Sequence, residues 1–201
     1  VLGGSSSINA MVYIRGQHAD YDHWAAQGNP GWGWEDVKPY FLRAENNERG
    51  ANDWHGRGGP FNVADLRAPN RFSQYFTDAG VQAGHPHNTD FNGATQEGVG
   101  LYQVTHKNGE RHSAAKGYLT PHLARPNLQV ITGAHATRIL FDGTRAVGVE
   151  YRQGGAIKQV RAGREVLLSA GALLSPQLLM LSGVGPAAHL QQHGIPVLHD
   201  L

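Results

Sequence analysis

Glycine takes 27 of the 201 positions, nearly twice its ordinary share of about 7%, and it is scattered without a period. A collagen-like repeat is excluded. The chain must instead be assembled from elements joined by many tight turns, with backbones passing close to one another. Within that constraint, 40% hydrophobic and 16% charged residues can build a core and exclude a disordered tail. The length fits one domain of about 200 residues or two small ones. Lys and Arg number 17 against 16 Asp and Glu, a balance of +1 that offers no excess to draw nucleic acid or an anionic membrane. The absence of cysteine excludes disulfides, thiolate metal sites and a Cys nucleophile. Val1 opens the sequence with no basic, then apolar, leader behind it, so the expectation is that processing or truncation removed the true start.

Hydrophobic spacing divides the chain. The first half reads as helix and loop. Ser5-Ser6-Ser7 is placed to cap a short helix carrying Ile8, Met11 and Val12. Ala19 to Gln27 reads as a second helix, closed by Gly28. Glu35 to Asn46 reads as a third, with Val37, Tyr40, Phe41 and Ala44 on one face. Arg71 to Ala83 repeats that spacing with Phe72, Tyr75, Phe76 and Ala79. The second half reads as strands at Leu128 to Thr132, Thr137 to Phe141, Ala146 to Tyr151 and Ile157 to Arg161, turning at Asp142-Gly143 and Gly154-Gly155. Glu165 to Ser169 reads as a buried strand leading into a helix that begins near Pro176. The fold class expected is α/β (α+β) with an antiparallel meander inserted. Val166 to Ala188 carries no charge, but its serines, glycines and Pro176 argue against a membrane span.

Several local patterns invite chemistry. Gly3-Gly4 before Ser5-Ser6-Ser7 lets a backbone approach a ligand closely, or is simply a flexible capped loop. Gly183-Val184-Gly185-Pro186-Ala187-Ala188 spells G-x-G-x-x-A. It follows a helix-like segment rather than a strand, which favours a structural turn with Pro186 at the first position of the next helix. Ser113-Ala114-Ala115-Lys116 matches the Ser-x-x-Lys of penicillin-recognising enzymes without their companion motifs. His85-Pro86-His87 and the pair His18 and His23 lack the spacing of a metal set, and no metal ligand is assigned. Trp24, Trp32, Trp34 and Trp54 cluster with Tyr13, Tyr21 and Tyr40, either as core or as a pocket for a flat ring or a cation.

In order along the chain these stretches resemble the glucose–methanol–choline (GMC) flavin oxidoreductases. The run from Gly3 to Gly16, with Asp20-Tyr21-Asp22 and Trp24, is similar to that family's first signature. Gly171 to Pro186 is similar to the second. Asp90-Phe91-Asn92-Gly93, Arg111-His112-Ser113, Arg125-Pro126-Asn127-Leu128 and Ala146 to Glu150 fall between them in family order. The wording is nearest to choline dehydrogenase-like members. The resemblance implies part of a Rossmann-type FAD-binding domain interleaved with helical substrate-domain segments. Residues 1–35 would form the first signature and flavin-contact segment. Residues 36–125 would form the helical and substrate-domain segment, and 126–201 the meander, return strand and second signature. It implies FAD as cofactor, held through Val1, Gly4, Asn9, Ala10, Met11, Val12, Ala136 and Gly171. Ala136 would meet the adenine end through its backbone.

The implied reaction is oxidation of a small alcohol by hydride transfer to flavin, with an unidentified electron acceptor, no nucleic acid and no transmembrane segment. The implied location is the cytoplasm or the periphery of the inner membrane. Neither the family's Gly-x-Gly-x-x-Gly turn nor its catalytic His segment is found in these residues. The expectation is therefore a central fragment, inactive alone, with no catalytic residue of its own. A lyase of the same family acting on a cyanohydrin, and a non-catalytic small-molecule binding module, are the alternatives.

Overall fold

The computed structural model describes all 201 residues as two compact units, Val1–Leu128 and Gln129–Leu201. Helices and strands are mixed, and every sheet is small and open.

In the first unit a 3₁₀ turn, Gly4–Ser7, precedes α1 (His18–Ala26) and α2 (Trp34–Ala44). The longer helix expected through Ile8, Met11 and Val12 does not form. Beyond Met11 the backbone at Val12 and Tyr13 instead runs antiparallel beside Val104, because Met11 O accepts the Thr105 N–H at 2.8 Å and Tyr13 N–H donates to Gln103 O at 2.9 Å. A capping box between Gln17 and Asp20 starts α1. Asp22 Oδ1 accepts the Trp34 N–H at 2.9 Å and ties the start of α2 to α1. The helix expected through Asn46 stops at Ala44, since Glu45 turns extended to open β1 (Glu45–Asn47), which pairs in parallel with β2 (Phe61–Val63). Closing a parallel pair with only the 48–60 loop forces backbones together. A Cβ on Gly56 would lie 1.8 Å from the Leu42 carbonyl oxygen, so only glycine fits.

Next comes α3 (Arg71–Gln82), capped by the Asn70 side chain. Its expected apolar face is not buried: Phe72 is 78% and Phe76 76% exposed, while Thr77 faces inward. The hairpin β3 (His106–Lys107) and β4 (Glu110–Arg111), a π-helical turn, Ala115–Leu119, and a 3₁₀ turn, Thr120–His122, follow. The apolar centre of this unit is Tyr21, Trp34, Val63, Ala64, Phe91 and Val104.

The second unit is the expected meander, β5 (His135–Asp142), β6 (Arg145–Gln153) and β7 (Ala156–Arg161), in that spatial order and antiparallel throughout. Leu128 to Thr132 and Glu165 to Ser169 are not strands. Neither finds a neighbouring backbone to pair with, and Leu167 is 80% exposed rather than buried. The next helix, α4 (Gly171–Leu181), begins five residues before Pro176 and runs through it. Ser182 at its end accepts the Ile139 N–H at 2.8 Å and so covers part of the open edge of β5. A two-residue strand β8 (Val184–Gly185), α5 (Ala187–Gln192) and β9 (His199–Asp200) follow, with β8 parallel to β9. No helix is long and apolar enough to cross a membrane.

Candidate functional site

The structure gathers six of the eight proposed cofactor residues on one stretch of backbone, Val1 to Val12, in the first unit. Gly4 has φ +56, and a Cβ built there meets nothing within 4 Å. Packing within the chain therefore does not require glycine here; its left-handed backbone does. Gly3, at φ +86, is different, because its Cβ would press on Ala115 at 3.2 Å.

Met11 is the unusual residue of the stretch, with φ +65 although it carries a side chain. Such a conformation costs on the order of 1–2 kcal/mol and persists only where surrounding bonds impose it. Asn9 Oδ1 accepts the Met11 N–H at 2.9 Å, and Thr105 takes the Met11 carbonyl. Arg111 Nη1 donates to both Asn9 Oδ1 and Ser6 O at 3.1 Å. Ser6 Oγ accepts the Ala114 N–H at 2.9 Å and donates to Gly3 O. The serines thus tie the loop down rather than capping a helix through a side chain. Ala10 and Val12 line a cleft of about 540 Å³ with α3.

Behind this stretch lies a buried ionic chain that the sequence reading did not find. Arg15, 6% exposed, donates Nη2 to Glu45 Oε2 at 2.8 Å and Nη1 to Trp54 O at 2.7 Å. Glu45 is fully buried and also receives Asn47 Nδ2 and the Gly56 N–H. The His55 ring joins Glu45 Oε1 through Nδ1 at 3.0 Å and Asp90 Oδ2 through Nε2 at 2.9 Å. With a carboxylate at each nitrogen, both must donate, so the ring is an imidazolium. Burial by itself pushes the His55 pKa down, but the bonds to Asp90 and Glu45 and their charges outweigh it and raise it to about 9. Burial pushes Glu45 up, while His55, Asn47, Gly56 and Arg15 together hold it below its ordinary value. Asp90 is held low chiefly by the His55 hydrogen bond. Two positive and two negative groups balance, which is what allows Arg15, Glu45 and His55 to be buried, with Asp90 half-buried at the end of the chain of contacts. Glu45-Asn46-Asn47 beyond an amphipathic helix reads locally as a solvated end, and no local signal reveals its burial.

The other two proposed residues lie in the second unit. Ala136 sits on the edge strand β5 opposite Tyr151, beside an irregularity where Thr137 is skipped in the register. Gly171, at φ +88, opens α4 with nothing within 4 Å of a Cβ. The remaining motifs resolve simply. Lys116 Nζ pairs with Glu110 at 2.6 Å, and only the Lys116 N–H reaches Ser113 Oγ, so no Ser–Lys dyad exists. Gly183 ends α4 and Pro186 is the cap before α5, one residue ahead of the expected first position, in a structural turn. No three His or acidic residues are arranged to hold a metal. Trp34 stacks on His18 in the core at 4.0 Å, whereas Trp24 and Trp32 line an open aromatic cavity of about 750 Å³.

Comparison with known proteins places these features in a common frame. Residues 1–198 match the family model described as GMC oxidoreductase. The whole chain is 51% identical over 203 residues to the alcohol dehydrogenase [acceptor] of Pseudomonas putida, covering 37% of that protein. It is 49% identical over 200 residues to the oxygen-dependent choline dehydrogenase of Brucella ovis, covering 36% of it. Among solved structures, an FAD-dependent oxidoreductase from Chaetomium thermophilum superposes with a TM-score of 0.93 at 34% identity, over all of this chain and 37% of that one. Pyridoxine 4-oxidase from Mesorbium loti superposes with a TM-score of 0.90 at 34% identity, over 98% of this chain and 39% of that one. The chain spans a little over a third of the length of the relatives it matches.

Proposed function

The chain belongs to the GMC oxidoreductase family, and from that premise we propose that it supplies the flavin-facing part of an enzyme that oxidises the CH–OH group of a small alcohol. The observation that carries this reading is the loop from Gly3 to Val12, in which Gly4 is left-handed with no neighbour within 4 Å of a Cβ and Met11 is held at positive φ by Asn9 and Thr105. Those features fit a planar cofactor with a diphosphate, because a close approach to backbone is what such a ligand requires and a Cβ would fill. Val1, Gly4 and the Asn9 to Val12 strip of the first unit would hold FAD. FAD, when bound, supplies the two-electron acceptor for the carbinol hydride.

The chain's own residues hold and orient. Arg111 and Ser6 keep the loop in one conformation, so little ordering is left to be done on binding. The Arg15–Glu45–His55–Asp90 chain anchors the continuation of the same strand. His55 is protonated and buried near neutral pH, so it cannot accept the hydroxyl proton. We assign no catalytic base to this chain and leave the electron acceptor open. The test is anaerobic addition of primary alcohols to the flavin-loaded enzyme containing this chain. Loss of the yellow flavin band with formation of aldehyde is expected, and a flavin that no alcohol bleaches refutes the reading.

A further inference from the structure

From Val12 to Arg15, just past the residues assigned to the flavin, the backbone is bonded along both edges. One edge lies beside the 103–105 segment, where Val12 bridges Val104 and Tyr13 N–H donates to Gln103 O at 2.9 Å. On the other edge a side chain stands where a strand would. Asn92, 6% exposed, accepts the Arg15 N–H on Oδ1 at 2.8 Å and donates Nδ2 to Tyr13 O at 3.0 Å. Gln96 Nε2 donates to Arg15 O at 2.8 Å in the next position. A carboxamide thus satisfies one backbone donor and one acceptor, as a neighbouring strand does. Asn92 is itself held in place. Its N–H donates to Asp90 Oδ1 at 3.1 Å, Asp90 Oδ2 bonds the His55 ring at 2.9 Å, and the intervening Phe91 is buried against Tyr102.

Resting on the proposed reading, we infer that Asn92 is a positioning residue for the flavin: it fixes where the Asn9 to Val12 stretch stands and so sets how tightly FAD is held. Met11 is strained, and a strained backbone keeps its shape only where its neighbours are fixed. Tyr13, two residues on, is bonded through both its N–H and its carbonyl, and Asn92 supplies the carbonyl half. The opposite edge traces back to the same ionic chain, because Asn47 Nδ2 donates to Gln103 Oε1 at 2.8 Å and to Glu45 Oε1 at 2.9 Å. Removing the carboxamide leaves a backbone donor and a backbone acceptor without partners beside the buried Arg15. An ionised Asp at this position would set a carboxylate oxygen against Tyr13 O. A protonated Asp has one O–H to donate and one carbonyl oxygen to accept, and restores both bonds.

The experiment measures FAD affinity, by recovery of flavin fluorescence on dilution of the flavin-loaded enzyme containing this chain, at pH 8 and pH 5, with urea unfolding of the same samples. At pH 8, Asn92→Ala and Asn92→Asp should each hold FAD about tenfold more weakly than the parent. At pH 5 the introduced carboxyl, raised by burial and by the Asp90 carboxylate, is protonated, and Asn92→Asp should return to within about threefold of the parent while Asn92→Ala does not. Glu45 and Asp90, held low, and His55, raised to about 9, keep their charges over that interval, as does Arg15. His18 and Glu97 border the same loop, and whatever they contribute is common to parent and variant and leaves the ratio unchanged. Asn62→Ala removes a buried carboxamide bonded to Glu48 and His106 O and not to the flavin stretch. It should lower the urea midpoint and leave FAD affinity within about threefold. If Asn92→Ala does not fold, Asn92→Asp decides alone. An Asn92→Asp ratio equal at both pH values, failure of Asn92→Asp to fold at pH 5, or a loss in Asn62→Ala equal to that in Asn92→Ala overturns this inference. The parent reading survives those outcomes as long as Gly4→Val loses FAD; a Gly4→Val enzyme that holds FAD like the parent overturns both.

Discussion

His55 makes the stability of the first unit depend on pH in the alkaline direction. Its ring is 2% exposed and bonded to Glu45 and Asp90, and its pKa is raised to about 9 from an ordinary value near 6.5. Stability from such a group is fully present below about 6.5 and is lost as pH rises through about 9. Each tenfold change in proton affinity is worth about 1.4 kcal/mol, so the whole contribution is on the order of 3 kcal/mol. Less than half of it, about 1.4 kcal/mol, should remain at pH 8. Glu45 and Asp90 act in the opposite sense, since their lowered values contribute stability above the ordinary carboxylate range that is lost on acidification. A plateau is expected between that range and about pH 6.5. Urea unfolding followed by tryptophan fluorescence reads the right region, because Trp34 is buried there and the Trp54 carbonyl accepts from Arg15. His55→Gln should be less stable at pH 6 by up to the same amount and should lose the decline between pH 6.5 and 9. An equal decline in His55→Gln, or a flat profile in the parent, would refute a protonated His55 bridge.

The remaining expectations concern how the cofactor is held. Gly4 and Gly155 both have positive φ, +56 and +82, and neither would meet a neighbour with a Cβ, so Gly4→Val and Gly155→Val carry comparable backbone strain. FAD affinity, measured by recovery of flavin fluorescence on dilution, should fall at least tenfold more in Gly4→Val; equal losses would mean that Gly4 is only a turn. The resemblance implies that a covalently held flavin, in members that have one, is joined to a His just before the first-signature Asn; here that position is Ile8, without a nucleophilic nitrogen, so FAD should be bound without a covalent link. Acid precipitation of the loaded enzyme should leave all yellow colour in the supernatant, and colour retained in the pellet would contradict this.

Elements whose hydrogen bonds close locally were legible in the amino-acid order. The spacing of Val37, Tyr40, Phe41 and Ala44, and Gly154-Gly155 between alternating strands, carry their own instructions because both partners of each contact lie within a few residues. What sequence alone left open is set by groups far apart in the chain. Whether Val12 and Tyr13 become helix or a bridging strip is decided by the backbone of Gln103 and Thr105, ninety or more residues away. Glu165 to Ser169 has the composition of a buried strand, but a strand exists only where another backbone accepts its hydrogen bonds, and none does here. The ionic chain is the clearest case. Arg15, Glu45, His55 and Asp90 each read as surface residues, since an isolated charge is too costly to bury; only their convergence, which balances the charges and fills both nitrogens of one ring, makes the interior their lowest-energy place.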